Sequence, residues 1–414
     1  MTTVETPTSA TFDVVELYAA PGLGGYYADD LRAVQAGATV DGLVYRGDPV
    51  TPGHRHIRNP ALAVVIGLRS SDGAVGWGDA VTVQYSGFGG REPPIDPPAL
   101  MPQLDVAFEA LRGAGALTFS DACDLVEASR IGGRRLHSGV RYGLSQALLA
   151  LAASVTRRPP ADILANLLGG DRLAPVPIYA QSGEERHRNT DKMILKQVDV
   201  IPHGLINSPA VFGSDGEGLL EYAGWVRRRI AELGDSAYDP LLHFDVYGLL
   251  GADAAGDATR MAGVCERLVE TCRPHRVQLE SPVYGRDVDS TLRALSTLRA
   301  TLERNGIPLA IVADDWCNTV EDITRFLDAG AVDLIQIKLP DLGSLTNAVD
   351  AVRACRSSGA GVFIGGSCSE TDVSARTSVQ LAVAAAADQV LAKPGMGVDE
   401  ALAITRNEMQ RVCM

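Results

Sequence analysis

Little in this 414-residue sequence serves a nucleic acid, a membrane or a disulfide framework. Aromatic residues make up only 5% and are not interleaved with basic runs, so no base-stacking platform is present. Basic residues are outnumbered, 37 Lys and Arg against 51 Asp and Glu, and the formal net charge of −14 repels phosphate backbones and anionic lipid. No apolar stretch approaches the roughly 18–20 residues a membrane helix needs; the longest, Leu381 to Ala387, is short and Ala-rich. Nucleic acid and membrane are excluded as partners on these grounds. The seven cysteines are odd in number, scattered, and contain no C-x-x-C pair, which fits a reducing cytosol. The stretch Met1 to Thr11 is polar and has no basic segment followed by an apolar one, so the expectation is a cytoplasmic protein without a targeting leader. There is no P-loop, no H-E-x-x-H and no zinc-type spacing, and Gly365-Gly366-Ser367-Cys368 does not complete a nucleophile elbow.

What is present is an ordinary globular composition, 46% apolar and 21% charged, in a chain long enough for two domains. The first part mixes strand and helix. Ala61 to Leu68 and Ala74 to Asp79 flank the turn Ser70-Ser71-Asp72-Gly73 as a hairpin. Leu104 to Leu111, Ser120 to Ala128 and Val140 to Ala153 carry helical periodicity, and the Pro159-Pro160 pair ends the last of them. We place a domain boundary there, giving an α+β domain over 1–165 and a second domain over 166–414. In the second domain, short apolar runs alternate with helical stretches. The runs are 176–180, 192–195, 241–246, 276–279, 309–313, 334–337, 361–364 and 389–392. Eight strands with about seven helices is the arithmetic of an α/β class (β/α) barrel, although an open doubly wound sheet would show the same alternation.

Polar residues follow these runs: Gln181, Asp245, Glu280, Asp314, Lys338, Ser367 with Cys368, and Lys393. Asp245 to Glu280 is 35 residues and Glu280 to Asp314 is 34, each one βα unit, so three consecutive strands present a carboxylate at one rim. A lone strand-end acid is ordinarily a helix cap or a solvated charge. Three that converge repel one another unless a cation sits among them. Oxygen-only ligation suits Mg²⁺ best and Mn²⁺ next. Lys338 follows Asp314 by 24 residues and shares the inward strand face with Gln336 by period two. Burial beside a cation disfavours its ammonium form, which suits a general base. A metal and a base together can take a proton from carbon next to a carboxylate through a stabilised enediolate.

The order Asp, Glu, Asp and then Lys on consecutive strands resembles the enolase superfamily. The stretches PGLGGYYADD (21–30), VQYSGFGGREP (83–93), RLHSGVRYGLSQA (135–147), AQSGEER (180–186), DKMILK (191–196), HFDVYG (243–248), VADDWCNTVED (312–322), QIKLPDLGS (336–344) and LAKPGMGVDEA (391–401) resemble the methylaspartate ammonia-lyases within it. The resemblance implies an N-terminal α+β capping domain over a modified TIM barrel, assembled as a homodimer and acting on a small amino-acid substrate. It implies that Asp245, Glu280 and Asp314 bind Mg²⁺ and that Lys338 takes the C3 proton of L-threo-3-methylaspartate. His203 would serve the other C3 epimer, and mesaconate and ammonia would be the products. Gln84, Gln181, Gln336, Ser367 and Cys368 would hold the substrate's carboxylates and amino group, and Tyr179, Phe363 and Leu391 would shape the pocket for the 3-alkyl group. The chain departs from the family pattern at Ser367, Leu339, Ser369 and Asp315, and carries Tyr179 and Phe363 where Phe and Tyr are more usual. Such exchanges shift selectivity by about 1–3 kcal/mol and leave the reaction type alone. Two other readings stay open, a racemase or dehydratase of the same superfamily and a Schiff-base aldolase using Lys338. A helper monovalent cation is also left open.

Overall fold

The computed structural model describes residues 10–170 and 173–414, so most of the Met1–Thr11 stretch lies outside the described residues. The N-terminal part is built on an antiparallel three-stranded sheet, Glu16–Asp29, Arg58–Arg69 and Val75–Ala80. The expected hairpin is there, with Val65 opposite Asp79 and Arg69 opposite Val75. Helices Pro97–Ala114, Phe119–Ala128 and Ser138–Thr156 follow. The last is buried along most of its length, and it reaches the sheet because Gly78 has no side chain: a Cβ there would lie 2.1 Å from the Gly143 carbonyl. Pro160, beyond the helix end, opens a further helix, Pro160–Leu168, because proline is well suited to a first helical turn.

Eight parallel strands then close into a barrel. In chain order they are Ile178–Tyr179, Val200–His203, Leu241–Asp245, Val277–Glu280, Leu309–Ala313, Leu334–Ile337, Gly361–Ile364 and Gln389–Leu391. Closure decides against the open sheet: the eighth strand pairs with the first through Leu391 and Tyr179, and Tyr179 in turn faces Val200 of the second. One expected strand is wrong. Lys192 to Leu195 forms the end of helix Arg186–Leu195, whose buried residues Asn189, Thr190, Met193 and Ile194 follow the helical repeat, and the second strand is Val200–His203. No helix among the described residues is long and apolar enough to cross a membrane.

The N-terminal part lies over the carboxyl ends of the barrel strands. The Gln84 backbone N–H donates to Ser367 Oγ at 2.8 Å, and the Arg91 guanidinium reaches Asp314 at 2.9 Å. Residues 83–91 thus roof the rim on which the sequence puts its chemistry.

Candidate active site

Asp245, Glu280 and Asp314 terminate or follow the third, fourth and fifth barrel strands, and the parallel register sets Asp245 beside Glu280. Each offers an oxygen, and these atoms lie within 4.8 Å of one another; all three residues are buried. Just past each acid the chain turns away through a residue in the left-handed region, Tyr247 at φ 48°, Ser281 at φ 47° and Trp316 at φ 66°. Such turns cost on the order of 1–3 kcal/mol each when the residue is not glycine, and here they keep the carboxylates at the rim. Asp245 Oδ1 also accepts the Tyr247 N–H at 3.1 Å.

The electrostatics of the cluster are lopsided. Burial, then the charges of Asp245 and Asp314, push the Glu280 carboxyl well above the ordinary range. Burial acts the same way on Asp314, but Lys338 and Arg91 outweigh it and hold that carboxyl down. Three buried acids with this much mutual repulsion constitute a site short of positive charge, which suits a divalent cation.

Lys338 Nζ stands 2.8 Å from Asp314 Oδ1 and 2.9 Å from Oδ2. Burial and the nearby Arg91 push its ammonium toward losing the proton, yet Asp314, Asp341 and Glu280 push harder the other way, and the net shift is upward. The charge of these acids is what holds its proton, so the free amine expected beside a cation depends on that charge being offset. At the other end of the cluster His203 Nε2 lies 3.6 Å from Asp245 Oδ2 and 3.2 Å from the Tyr247 hydroxyl, and the Leu205 N–H donates to His203 Nδ1 at 3.3 Å. His203 and Lys338 thus flank the acids at opposite ends.

A pocket over the acids is lined by His203, Asp245, Glu280 and Lys338, and by Gln84, Gln181, Gln336, Ser367, Tyr179, Phe363 and Leu391. Two of the residues singled out in the sequence are not on that lining. Asp314 is screened by Arg91 and Lys338, and the Cys368 thiol turns toward Gln84 Oε1 at 3.4 Å. Burial raises the Cys368 thiol, so no thiolate is available at neutral pH. The Tyr179 hydroxyl and Gln181 Oε1 are buried without a hydrogen-bond partner, polar atoms that a bound ligand could satisfy.

Several residues that hold this site together carried no functional expectation. Arg91 is buried and spans three acids, Asp314 at 2.9 Å, Asp315 at 2.7 Å and Asp341 at 2.8 Å. Asp29 accepts the Gln84 side-chain amide at 2.9 Å and pairs with Arg58 at 2.8 Å. The Ser367 loop is held by a fully buried ion pair: Lys393 Nζ meets Glu370 Oε1 at 2.7 Å, and Glu370 Oε1 accepts the Ser367 N–H at 2.8 Å. Gly366 makes this approach possible, at φ 131°, since a Cβ would fall 2.0 Å from Glu370 Oε1.

A larger concavity, about 880 Å³, opens at the other end of the barrel. Three of its acids, Asp199, Asp333 and Asp388, accept the N–H groups of Ile178, Ile311 and Val362 at 2.9, 2.8 and 2.7 Å. Each stands immediately before a separate strand, Val200–His203, Leu334–Ile337 or Gln389–Leu391, and holds a neighbouring backbone. Among the described residues, the one acidic cluster spaced for a metal ion is at the carboxyl rim.

Comparison with known proteins agrees with this geometry. Residues 12–169 match the family model for the methylaspartate ammonia-lyase N-terminus and residues 172–414 that for its C-terminus. The chain is 44% identical over 393 residues to methylaspartate ammonia-lyase 1 of Carboxydothermus hydrogenoformans, covering 94% of each chain. It is 40% identical to a magnesium complex of β-methylaspartase from Clostridium tetanomorphum, with a TM-score of 0.89 over 97% of this chain and 98% of that one. It is 39% identical to the Citrobacter amalonaticus methylaspartate ammonia-lyase containing (2S,3S)-3-methylaspartic acid, with a TM-score of 0.91 over the same shares, 97% and 98%. A dipeptide epimerase from Cytophaga hutchinsonii shares the fold at a TM-score of 0.62 and 17% identity.

Proposed function

This chain belongs to the methylaspartate ammonia-lyase family of carbon–nitrogen lyases within the enolase superfamily, and we propose that it converts L-threo-3-methylaspartate to mesaconate and ammonia with Mg²⁺. The observation that carries the reading is the juxtaposition of three buried carboxylates within 4.8 Å with a lysine amine 2.8 Å from one of them. Asp245, Glu280 and Asp314 would hold the ion, and Mn²⁺ would substitute for it. When bound, the ion supplies positive charge for the carboxylate next to C3, the group that takes up negative charge as the C3 proton leaves.

The chain's own residues then divide the work. Lys338 takes the C3 proton at Nζ, becoming an ammonium. The electron pair left at C3 forms the C2–C3 double bond as the C2–N bond breaks and ammonia departs. Neutralising Asp314 and Glu280 would offset two of the three charges that hold the lysine's proton, leaving burial and Arg91 to favour the free amine that serves as a base. Gln84, Gln181, Gln336 and Ser367 hold the carboxylates and amino group, with Cys368 behind them on Gln84. Tyr179, Phe363 and Leu391 form the wall against the 3-methyl group.

His203, at the far end of the acid cluster, would take the C3 proton of the erythro epimer. His203→Ala is expected to cut turnover of that epimer by about 10²-fold or more while sparing the threo isomer within a few-fold. Equal loss on both would make His203 a structural residue. The homodimer that the resemblance implies and the cytoplasmic compartment read from the composition belong to the same reading, the compartment supported by seven unpaired cysteines.

A panel of aspartate and 3-alkylaspartates, assayed for ammonia with Mg²⁺ and with EDTA, tests the reaction class. The expected result is ammonia equal to the unsaturated diacid formed, and none after chelation. Epimerisation without ammonia would favour the racemase. Activity that survives EDTA and is trapped by borohydride on Lys338 would favour the aldolase.

A further inference from the structure

We propose that His243 is a positioning residue that holds Glu280 in the orientation needed to receive a divalent ion. The inference rests on the reading of Asp245, Glu280 and Asp314 as the metal centre. His243 lies two residues before Asp245 on the third barrel strand, so period two turns it to the same inward face. It is completely buried. Barrel interiors are filled mainly by branched aliphatic side chains, so an imidazole at this depth needs polar partners. It has one on each nitrogen. Nε2 lies 2.8 Å from Glu280 Oε2, and Nδ1 lies 3.0 Å from the Gln389 side-chain amide nitrogen.

A carboxylate that binds a cation only accepts hydrogen bonds, so the hydrogen must sit on Nε2. The Gln389 amide, donating into Nδ1, selects the same tautomer. The ring cannot swing away. It is stacked on Tyr179 with centroids 4.3 Å apart and planes 11° apart, and Phe363 meets it edge-on at 5.8 Å. The other oxygen of Glu280 receives the Gln336 amide. The carboxylate is thus fixed from both sides by neutral donors, which leave its charge intact while setting the direction of its remaining lone pairs.

Two substitutions separate positioning from packing. His243→Gln keeps an N–H donor at the reach of Nε2; His243→Asn withdraws it to the level of Nδ1. Both are polar and similar in size, so a merely structural role predicts equal effects. Mn²⁺ binding, followed by the electron paramagnetic resonance signal of the free ion, is expected to weaken about tenfold or more in His243→Asn and to stay within about threefold of wild type in His243→Gln. Gln389→Leu, which leaves the imidazole but removes its lock, is expected to weaken binding by about threefold or more. Equal affinities in the Asn and Gln variants, or an unchanged affinity in Gln389→Leu, would overturn the inference. A wild-type protein that binds no Mn²⁺ would instead overturn the metal centre itself, and this inference with it.

Discussion

Replacing Lys338 by alanine is expected to lower kcat for L-threo-3-methylaspartate by about 10²–10⁴-fold, the range a positioned general base contributes, while the protein still binds a divalent ion. The two effects separate because of where the amine stands. It contacts Asp314 at 2.8 Å and adds a positive charge beside the acid cluster, so in the absence of substrate it competes with the ion. Removing it takes away the proton acceptor and relieves that competition, so ion affinity should hold or rise. The measurement is steady-state turnover of each C3 epimer beside an Mn²⁺ titration. Unchanged turnover would remove Lys338 from the chemistry, and parallel loss of metal binding would make it part of the ion site.

Replacing Arg91 by methionine is expected to destabilise the fold by about 3–5 kcal/mol at neutral pH, the cost of breaking a buried ion pair from one side. Asp315 and Asp341 would be stranded and Asp314 left to Lys338 alone, all three now within 2.9 Å of the guanidinium. The deficit should depend on pH with a definite sign. The Asp315 carboxyl is raised from 3.8 to about 6, chiefly by burial, with Arg91 opposing and the Asp314 charge adding to it. A carboxyl raised by folding binds its proton more tightly in the folded state than in the unfolded one. It therefore weakens the fold as pH climbs through that window, and the penalty is complete above the folded value. Without Arg91 that folded value rises further, so the variant's deficit should grow as pH climbs above about 6, larger at pH about 8 than at pH about 5. Urea unfolding at both pH values checks this. A variant as stable as wild type at neutral pH would show that the acids do not depend on Arg91.

The part of the site legible in the sequence is the part written at fixed intervals. Acids one βα unit apart at strand ends, and a lysine on the inward face with Gln336, need only strand periodicity to be placed together. The Val200–His203 strand is harder: it is four residues long and contains a proline, which weakens its strand signal, whereas Lys192–Leu195 is more apolar and sits on a helix. Without that strand, His203 is reachable only through family resemblance. Arg91 gives no local signal, since it lies in a glycine-rich loop 223 residues before the acid it holds. His243 did carry one, two residues before Asp245 on the same face. Barrel closure, set by Tyr179 against Leu391 and Val200, is a contact between distant segments and has no local pattern.

The most direct test is crystallographic: crystals soaked in Mn²⁺ and measured at the manganese absorption edge. The expected map has one strong anomalous peak with an oxygen of Asp245, Glu280 and Asp314 each within about 2.3 Å. A map with no peak among those three side chains, or with its strongest peak elsewhere on the protein, would contradict the metal-centred account.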